Sequence, residues 1–242
     1  MPLLTDRLEL ARATAATIDG WLTDREGELL FRLADGCPPG AAIVEIGSWK
    51  GKSTVWLASG VRDPGPTIVF AIDPHERSLE DPGARTLEDL KANLARADVG
   101  GRVVPIVTTS HAAAAVFERK PGLVFVDGSH LEEAVRTDLA DWLPKLLDGG
   151  IVALHDVVNH RWAGPRRALR RELWRSTELT GVRFVDSIAW MTKVGRNTAR
   201  DRWRNRLTAL LLIAYDITAF DVPAPILALL RSIYRFTPLK RA

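Results

Sequence analysis

Two short stretches of the sequence combine aspartate and histidine at the end of an apolar run, and these side chains suit metal-assisted proton transfer. The first, FVDGSH, contains Asp127 and His130, and the second, ALHDVVNH, contains His155 and Asp156. Two carboxylates brought together repel each other unless a proton or a cation lies between them. Mg2+ favours oxygen ligands, and a bound ion lowers the pKa of a hydroxyl. We therefore predict a magnesium site at Asp127, His155 and Asp156, with His130 as the base that takes up the released proton.

A glycine turn, VEIGSWKGKST, follows the first apolar run and indicates a small-molecule site. Its Gly47 and Gly51 let a ligand approach the backbone closely, and Ser53 can cap the next helix or bond to the ligand. Asp73, which ends the next apolar run, suits the two hydroxyls of a ribose and would repel a phosphate. Glu45, before the first glycine, also disfavours a triphosphate. The turn therefore predicts a nucleoside ligand.

Two other nucleotide sites share features with this turn but need different spacing. A P-loop requires four residues between its first glycine and the Gly-Lys pair, whereas three residues separate Gly47 from Gly51. A dinucleotide fingerprint requires G-x-G-x-x-G, and the sequence offers G-x-x-x-G. The ATPase and NAD interpretations are therefore disfavoured.

Aliphatic runs that alternate with helical stretches must position these residues. The runs are AAIVEI, TIVFAI, RVVPIV, GLVFVD and GIVALHD, and a β-hairpin of VRFVD and SIAWMTKV turns at Asp186 and Ser187. Strands that alternate with helices imply right-handed crossovers. We predict an α/β fold with a doubly wound, mostly parallel seven-stranded sheet and one antiparallel strand near its C-terminal end. Ligands of such sheets bind beyond the carboxyl ends of the strands.

Helical segments are predicted on both sides of this domain. The boundaries are 1–39 for an N-terminal helical segment, 40–195 for the sheet domain and 196–242 for a C-terminal amphipathic helical extension. We expect the extension to form two amphipathic helices that pack on the domain or on a twin subunit, which favours a homodimer. Peripheral contact with a membrane is the alternative.

Local motifs predict where two of the helices begin. Thr23 and Glu26 form a capping box before an apolar helical face, and Ser129 and Glu132 form a second one. A basic group follows the fifth run. Its members are Arg161, Arg166, Arg167, Arg170 and Arg171. We interpret this group as a solvated helix face, with contact to an anionic acceptor as the alternative.

The composition is that of a globular protein with a sizeable core. The chain has 242 residues, of which 46% are hydrophobic, and a net charge of +3, which does not point to nucleic acid. Cys37 is the single cysteine, so an intramolecular disulfide is excluded and a reducing cytoplasm is the expected location. The sequence contains no uninterrupted apolar stretch typical of a secretion signal or a transmembrane segment.

The pattern E-x-G-x-x-x-G-x-S/T after the first strand, with an acid ending the second, resembles the class I S-adenosylmethionine-dependent methyltransferases. In that family the glycine turn lies against the methionine part of the cofactor, and the acid binds the ribose. Residues after the third strand lie near the adenine. By this resemblance the cofactor site comprises Glu45, Gly47, Ser48, Gly51, Ser53, Asp73, Ser110, His111 and Asp127.

A second pattern narrows the resemblance. D-G-x-H, then a helix with D-x-x-x-W-L-P-x-L that ends in G-G, then H-D, is similar to the metal-dependent sugar O-methyltransferases that act on macrolides and polysaccharides, with cephalosporin-tailoring relatives. In that branch the aspartate and histidine of D-G-x-H are a metal ligand and a general base, so Asp127, His130 and Asp156 carry over. His155 departs from the pattern, because the sugar enzymes have a glutamate there.

These observations predict an O-methyltransferase. It would move a methyl group from S-adenosylmethionine to a hydroxyl of a sugar or polysaccharide, with Mg2+ and a histidine base. One alternative is an O-methyltransferase of a non-sugar natural product. The other is a catalytically silent S-adenosylmethionine-binding partner subunit. The expected partner is therefore a small-molecule or oligosaccharide acceptor.

Overall fold

The computed structural model describes residues 4–62, 67–76 and 85–218 of the chain. The strands are β1 (Ala42–Ile46), β2 (Val69–Ile72), β3 (Val103–Ile106), β4 (Pro121–Val126), β5 (Ile151–Leu154), β6 (Leu179–Val185) and β7 (Ile188–Lys193). The helices are α1 (Leu4–Ala15), α2 (Asp24–Asp35), α3 (Lys52–Gly60), α4 (Thr86–Arg96), α5 (Ser110–Val116), α6 (Glu132–Trp142), α7 (Gly164–Arg175) and α8 (Ala199–Thr218), and a short 3-10 helix, Gly100–Arg102, precedes β3.

The strands form one sheet in the order β3-β2-β1-β4-β5-β7-β6. Strands β1 to β5 pair in parallel with their neighbours, and β7 runs antiparallel to both β5 and β6. The predicted doubly wound sheet with one antiparallel strand is thus confirmed. Because the order reverses between β1 and β4, the carboxyl ends of these two strands flank the crevice where such sheets bind ligands.

Both faces of the sheet are covered, and this explains why the central strands are apolar throughout. One buried cluster includes Trp56 and Phe125, and a second cluster includes Trp142 and Met191. All five residues of β1 are buried. A parallel strand that is covered on both sides loses the alternation of polar and apolar residues. The acid within β1, Glu45, is therefore exceptional.

One of the two predicted capping boxes forms. The Thr23 hydroxyl accepts from the backbone N–H of Glu26, and the Glu26 carboxylate accepts from the backbone N–H of Thr23. The predicted box of Ser129 and Glu132 is wrong, because α6 begins later, with Leu131 at the N-cap. The Ser129 hydroxyl instead accepts from the Leu131 N–H at 3.2 Å and closes a local turn.

Helix α8 lies against α7 and β6. The side-chain amides of Asn197 and Asn205 donate to the carbonyl oxygen of Leu179 at 3.0 and 2.8 Å and tie the helix to the start of β6. The second helix predicted for the extension lies outside the described residues. In the part of the chain that the structure describes, no helix is both long and apolar enough to cross a membrane.

Helices α2 and α3 cross at two glycines. A Cβ atom on Gly27 would lie 2.2 Å from the Trp56 ring, and one on Gly60 would lie 2.3 Å from the carbonyl oxygen of Phe31. These contacts leave no space for a methyl group. The crossing therefore fixes α2, which carries Glu26, against the sheet.

We expect Gly60→Ala to lower the free energy of unfolding by about 1–3 kcal/mol, because the added methyl group overpacks a rigid backbone contact. Chemical denaturation measures the change. Gly100→Ala is the matched control, since a Cβ atom there meets nothing within 4 Å. Equal stability of the two variants would contradict the close crossing.

Candidate functional site

A cavity of about 910 Å³ opens at the carboxyl ends of β1, β2 and β4. Ten of the twelve predicted site residues line it: Gly47, Ser48, Ser53, Asp73, Ser110, His111, Asp127, His130, His155 and Asp156. Two others of the predicted cofactor set, Glu45 and Gly51, lie outside its lining. Glu45 is fully buried beneath the turn, and Gly51 is the N-cap of α3.

The glycine turn brings the backbone of β1 against that of β4. Gly47 has a φ of 88°, and a Cβ atom there would lie 2.3 Å from the carbonyl oxygen of Asp127. Trp49 also has a positive φ, 42°. Its backbone N–H donates to Asp73 Oδ2 at 2.9 Å. The other oxygen of Asp73 accepts from the His75 N–H at 2.7 Å. Backbone hydrogen bonds thus hold Asp73 at the cavity wall.

Glu45 lies below this turn and accepts from the Thr54 hydroxyl at 2.5 Å. Burial raises the pKa of Glu45 to about 8, and the negative charges of Asp127 and Asp73 add to the effect, while the hydroxyls of Ser53 and Thr54 oppose it. The side chain is therefore protonated at neutral pH. Its role is to support the turn from below.

Two buried oxygens at the turn lack a hydrogen-bond partner among the described residues. They are Oε1 of Glu45 and the hydroxyl of Ser48. Buried polar atoms are normally satisfied, so such atoms indicate a missing ligand or water. Ser48 lines the cavity, and its hydroxyl is therefore available to a polar ligand.

The start of α5 forms another wall of the cavity. The Thr109 hydroxyl caps the helix by accepting from the Ala112 N–H. Ser110 accepts from the Trp142 indole N–H at 2.8 Å. His111 is exposed, and its Nδ1 lies 2.8 Å from Asp141 Oδ2. The Ser110 hydroxyl is thus oriented by a buried ring, whereas His111 lies at the rim.

Asp127, at the end of β4, is held by a buried histidine. Nδ1 of His155 lies 2.9 Å from Asp127 Oδ1, and its Nε2 lies 3.6 Å from Glu26 Oε2. Burial disfavours the charged ring, but the carboxylates of Asp127, Glu26 and Asp156 outweigh it and raise the His155 pKa to about 11. His155 therefore carries a proton on both nitrogens.

Glu26 was identified in the sequence only as part of a capping box. It is 1% exposed, and its Oε1 accepts from both the N–H and the hydroxyl of Ser187 at 2.8 and 2.6 Å. Burial raises its pKa, but the nearby charge of His155 and the bonds from Ser187 outweigh this and lower the pKa to about 2. Only the folded chain reveals this function, because α2 and the β6–β7 turn are far apart in sequence.

Asp156, after β5, is held by two polar side chains. Its Oδ2 lies 2.8 Å from His130 Nε2, and its Oδ1 accepts from the Asn159 side-chain amide at 2.7 Å. Burial raises the pKa of Asp156, but the bond from His130 and the charge of His155 outweigh this and hold the pKa below its usual value. Its φ of 56° lies in the left-handed region, which aspartate adopts more readily than most residues.

The two aspartates and one histidine form a compact group. Ligand atoms of Asp127, His130 and Asp156 all lie within 4.8 Å of one another. His155 lies beside this group: its Nδ1 is 2.9 Å from Asp127 Oδ1 and 3.6 Å from Asp156 Oδ2, and its Nε2 faces Glu26. The paired strand-end carboxylates expected from the sequence do meet.

Aromatic rings border the cavity on two sides. Trp162 stacks on His130 with ring centroids 4.5 Å apart, and the Arg161 guanidinium lies 4.9 Å from the centre of the Trp162 ring. Trp21 stacks on Trp49 at 5.0 Å. No motif in the sequence marks Trp21 or Trp162. Both lie in loops without regular spacing, and only the fold brings them to the cavity.

The basic group after β5 is only partly solvated. Most of it lies on α7, where Arg171 pairs with Glu132 at 2.6 Å on the protein surface. Arg166 is 2% exposed. For Arg166, therefore, the prediction of a solvated face is wrong, because it forms a buried ion pair with Asp216 of α8.

The chain is similar in sequence to known methyltransferases. Residues 44–157 match a family model described as a methyltransferase domain. A Mycobacterium marinum protein that carries the name O-methyltransferase is 29% identical over 178 residues, which cover 73% of this chain and 71% of the relative.

Solved structures share the fold. The O-methyltransferase TomG from Streptomyces achromogenes, involved in tomaymycin synthesis and in complex with SAM, has a TM-score of 0.60 and 20% identity, with 78% of this chain and 90% of that chain covered. The MycE methyltransferase of the mycinamycin pathway, in complex with Mg, SAH and mycinamycin VI, has a TM-score of 0.56 and 18% identity, with 80% and 56% covered.

The pKa of Glu45 predicts a pH dependence of stability. Between the ordinary value of 4.5 and about 8, the folded chain keeps a proton that the unfolded chain has lost, so this residue lowers stability as the pH rises. Glu45→Gln removes this contribution. We expect the free energy of unfolding of the variant, relative to wild type, to rise with pH by up to about 1.4 kcal/mol per pH unit.

Urea denaturation between pH 5 and 8 without cofactor measures this effect. Glu118→Gln, at an exposed position, is the matched control. Parallel curves for wild type and Glu45→Gln would show that the Glu45 carboxylate is charged in the folded protein.

Proposed function

We propose that this chain, a class I S-adenosylmethionine-dependent O-methyltransferase, transfers the methyl group to a hydroxyl of a sugar or polysaccharide, with Mg2+ and a histidine base. The observation that carries the proposal is the compact group of Asp127, His130 and Asp156. It lies in the same cavity as the glycine turn. A hydroxyl bound at this group would face a methyl donor bound at the turn.

We assign the cofactor to the cavity wall formed by β1, β2 and α5. The backbone at Gly47 would lie against the methionine part of S-adenosylmethionine, and the unsatisfied Ser48 hydroxyl would bond to its polar end. Asp73, already oriented by two N–H groups, retains lone pairs for the ribose hydroxyls. Ser110 and His111 would border the adenine.

The residues present suit a magnesium ion. Asp127 and Asp156 offer carboxylate oxygens, the ligands that Mg2+ prefers. MycE, whose solved structure resembles this fold, is in complex with Mg. When bound, the ion would lower the pKa of the acceptor hydroxyl. His155, predicted from the sequence as the third ligand, is bonded through Nδ1 to Asp127 Oδ1 at 2.9 Å. We therefore assign it to holding Asp127 in place.

His130 is the proposed base. A hydrogen bond from its Nε2–H to Asp156 would fix the tautomer and leave the lone pair on Nδ1 to accept the hydroxyl proton. The stacked Trp162 ring fixes the plane of the imidazole. An oriented ring close to the acceptor contributes through proximity as well as through proton transfer.

The aromatic rings at the cavity mouth support a sugar acceptor. The exposed C–H faces of a pyranose pack against large aromatic rings, and hydroxyls at its edge bond to polar groups beside them. Trp162 and Trp21 provide such rings, and Arg161 and Asn159 provide polar groups near Trp162.

The likeness to TomG, which is involved in tomaymycin synthesis, favours a non-sugar natural product as the second candidate. A homodimer and a cytoplasmic location remain predictions.

The direct test is methyl transfer from labelled S-adenosylmethionine to a panel of mono- and oligosaccharides and phenolic natural products, with Mg2+ or with EDTA. We expect transfer to saccharides that EDTA suppresses. Asp127→Asn should lower turnover by about 100-fold or more, because it removes a proposed ligand charge, and calorimetry should show cofactor binding within about twofold of wild type. Full turnover in EDTA would refute the metal, and cofactor binding without transfer to any acceptor would favour the silent partner subunit.

Removal of the proposed base should alter the pH profile. We expect His130→Ala to lower kcat by about 10²–10⁴-fold near neutral pH, the usual contribution of a general base, with a smaller deficit at high pH where the acceptor ionises on its own. Steady-state rates from pH 6 to 10 measure this. His160→Ala is the control for the shape of the profile: it removes the ring stack on Tyr215 of α8 but no proposed proton acceptor, so any loss of rate should be equal at every pH. Profiles of identical shape for wild type and His130→Ala would exclude His130 as the base.

A further inference from the structure

The loop from Val157 to Ala163 connects β5 to α7 and carries residues of the proposed acceptor site. It begins directly after Asp156 and includes Asn159, which bonds to Asp156, and Trp162, which stacks on His130. The position of this loop therefore sets the position of the whole group.

Arg166, on the first turn of α7, holds the loop by its backbone. Its Nη1 donates to the carbonyl oxygens of Val157 and Asn159 at 3.2 and 2.9 Å. The residue is 2% exposed. An arginine can bond to two partners at once because its donors diverge in a fixed plane. Here one branch of the guanidinium binds the loop.

The other side of the guanidinium binds α8. Nε of Arg166 donates to Asp216 Oδ1 at 2.7 Å, and Nη2 lies 2.5 Å from the same oxygen. The second oxygen of Asp216 pairs with Arg170 at 3.2 Å. Next to it, the Tyr215 ring stacks on His160 of the loop, with centroids 4.3 Å apart and planes within 7°. Helix α8 thus contacts the loop through an ion pair and a ring stack.

We propose that Asp216 is a positioning residue for methyl transfer: through Arg166 it holds the loop that presents Asp156, Asn159 and Trp162 to the acceptor. The inference rests on the proposed function, because it concerns the same acceptor site. If Arg166 bonded only to the loop, its buried positive charge would be unpaired, which is energetically unfavourable. The carboxylate of Asp216 pairs with this charge. The C-terminal extension therefore helps to position the acceptor site.

Asp216→Asn tests the proposal, with Asp201→Asn as the matched control. Asp201 is also on α8, but it bonds to Thr180 and Thr198 at the far end of the helix. Hydrogen exchange of the loop amides is the first readout. The N–H groups of Val157 and Arg161 are bonded to Ser187 O and Asn159 Oδ1, and we expect them to exchange at least tenfold faster in Asp216→Asn and at the wild-type rate in the control.

Methyl transfer to the best saccharide acceptor is the second readout. We expect Asp216→Asn to lower kcat/KM for the acceptor about tenfold or more, with the Kd for S-adenosylmethionine within twofold of wild type, and Asp216→Glu to recover part of the loss. If Asp216→Asn does not fold, Arg166→Lys replaces it, since a single ammonium group cannot reach both the loop and α8.

Unchanged exchange at Val157 and Arg161, or equal acceleration in the control, would overturn the proposal. A loosened loop with an unchanged kcat/KM would overturn the positioning role. The exchange measurement needs no acceptor, so it tests the contact even if saccharides prove not to be substrates, and failure of the proposed function is seen separately in the wild-type enzyme.

Discussion

The crowding of carboxylates at one edge of the sheet is the constraint on which the site depends. Glu26, Glu45, Asp73, Asp127 and Asp156 all approach the carboxyl ends of β1, β2, β4 and β5. Like charges so close together destabilise a fold unless each finds its own compensation. Three different compensations serve the five acids. Glu45 keeps its proton, Asp73 accepts two backbone N–H groups, and a buried imidazolium lies between Glu26, Asp127 and Asp156.

The fold supplies these compensations through its topology. Parallel strands that reverse their order between β1 and β4 bring the ends of both strands to one crevice. Gly47 then lets the turn after β1 pass within contact of the Asp127 backbone. Helix α2, fixed by its glycine crossing with α3, brings Glu26 to the opposite side of His155. The candidate site is thus assembled from elements that are each held in place by their own contacts.

The sequence predicted the sheet and the cavity-lining acids, because strand runs and strand-end residues are local signals that topology converts into neighbours. It could not predict that His155 would pair with Glu26 or that Arg166 would be buried against Asp216. Those contacts join residues 129 and 50 positions apart, and nothing in their own neighbourhoods marks them. The capping box at Ser129 failed because α6 begins only at Glu132, and the Ser129 hydroxyl instead accepts from the Leu131 N–H.

The bond between Glu26 and Ser187 has a consequence for how the protein folds. The two residues are 161 positions apart, so α2 leaves the ribosome long before its partner is synthesised. Contacts of such high sequence separation form late, because closing the intervening chain costs entropy before any contact compensates it. Until the final hairpin docks, the Glu26 carboxylate lacks its Ser187 donors. The nascent enzyme therefore acquires its active geometry only after nearly the whole domain has emerged.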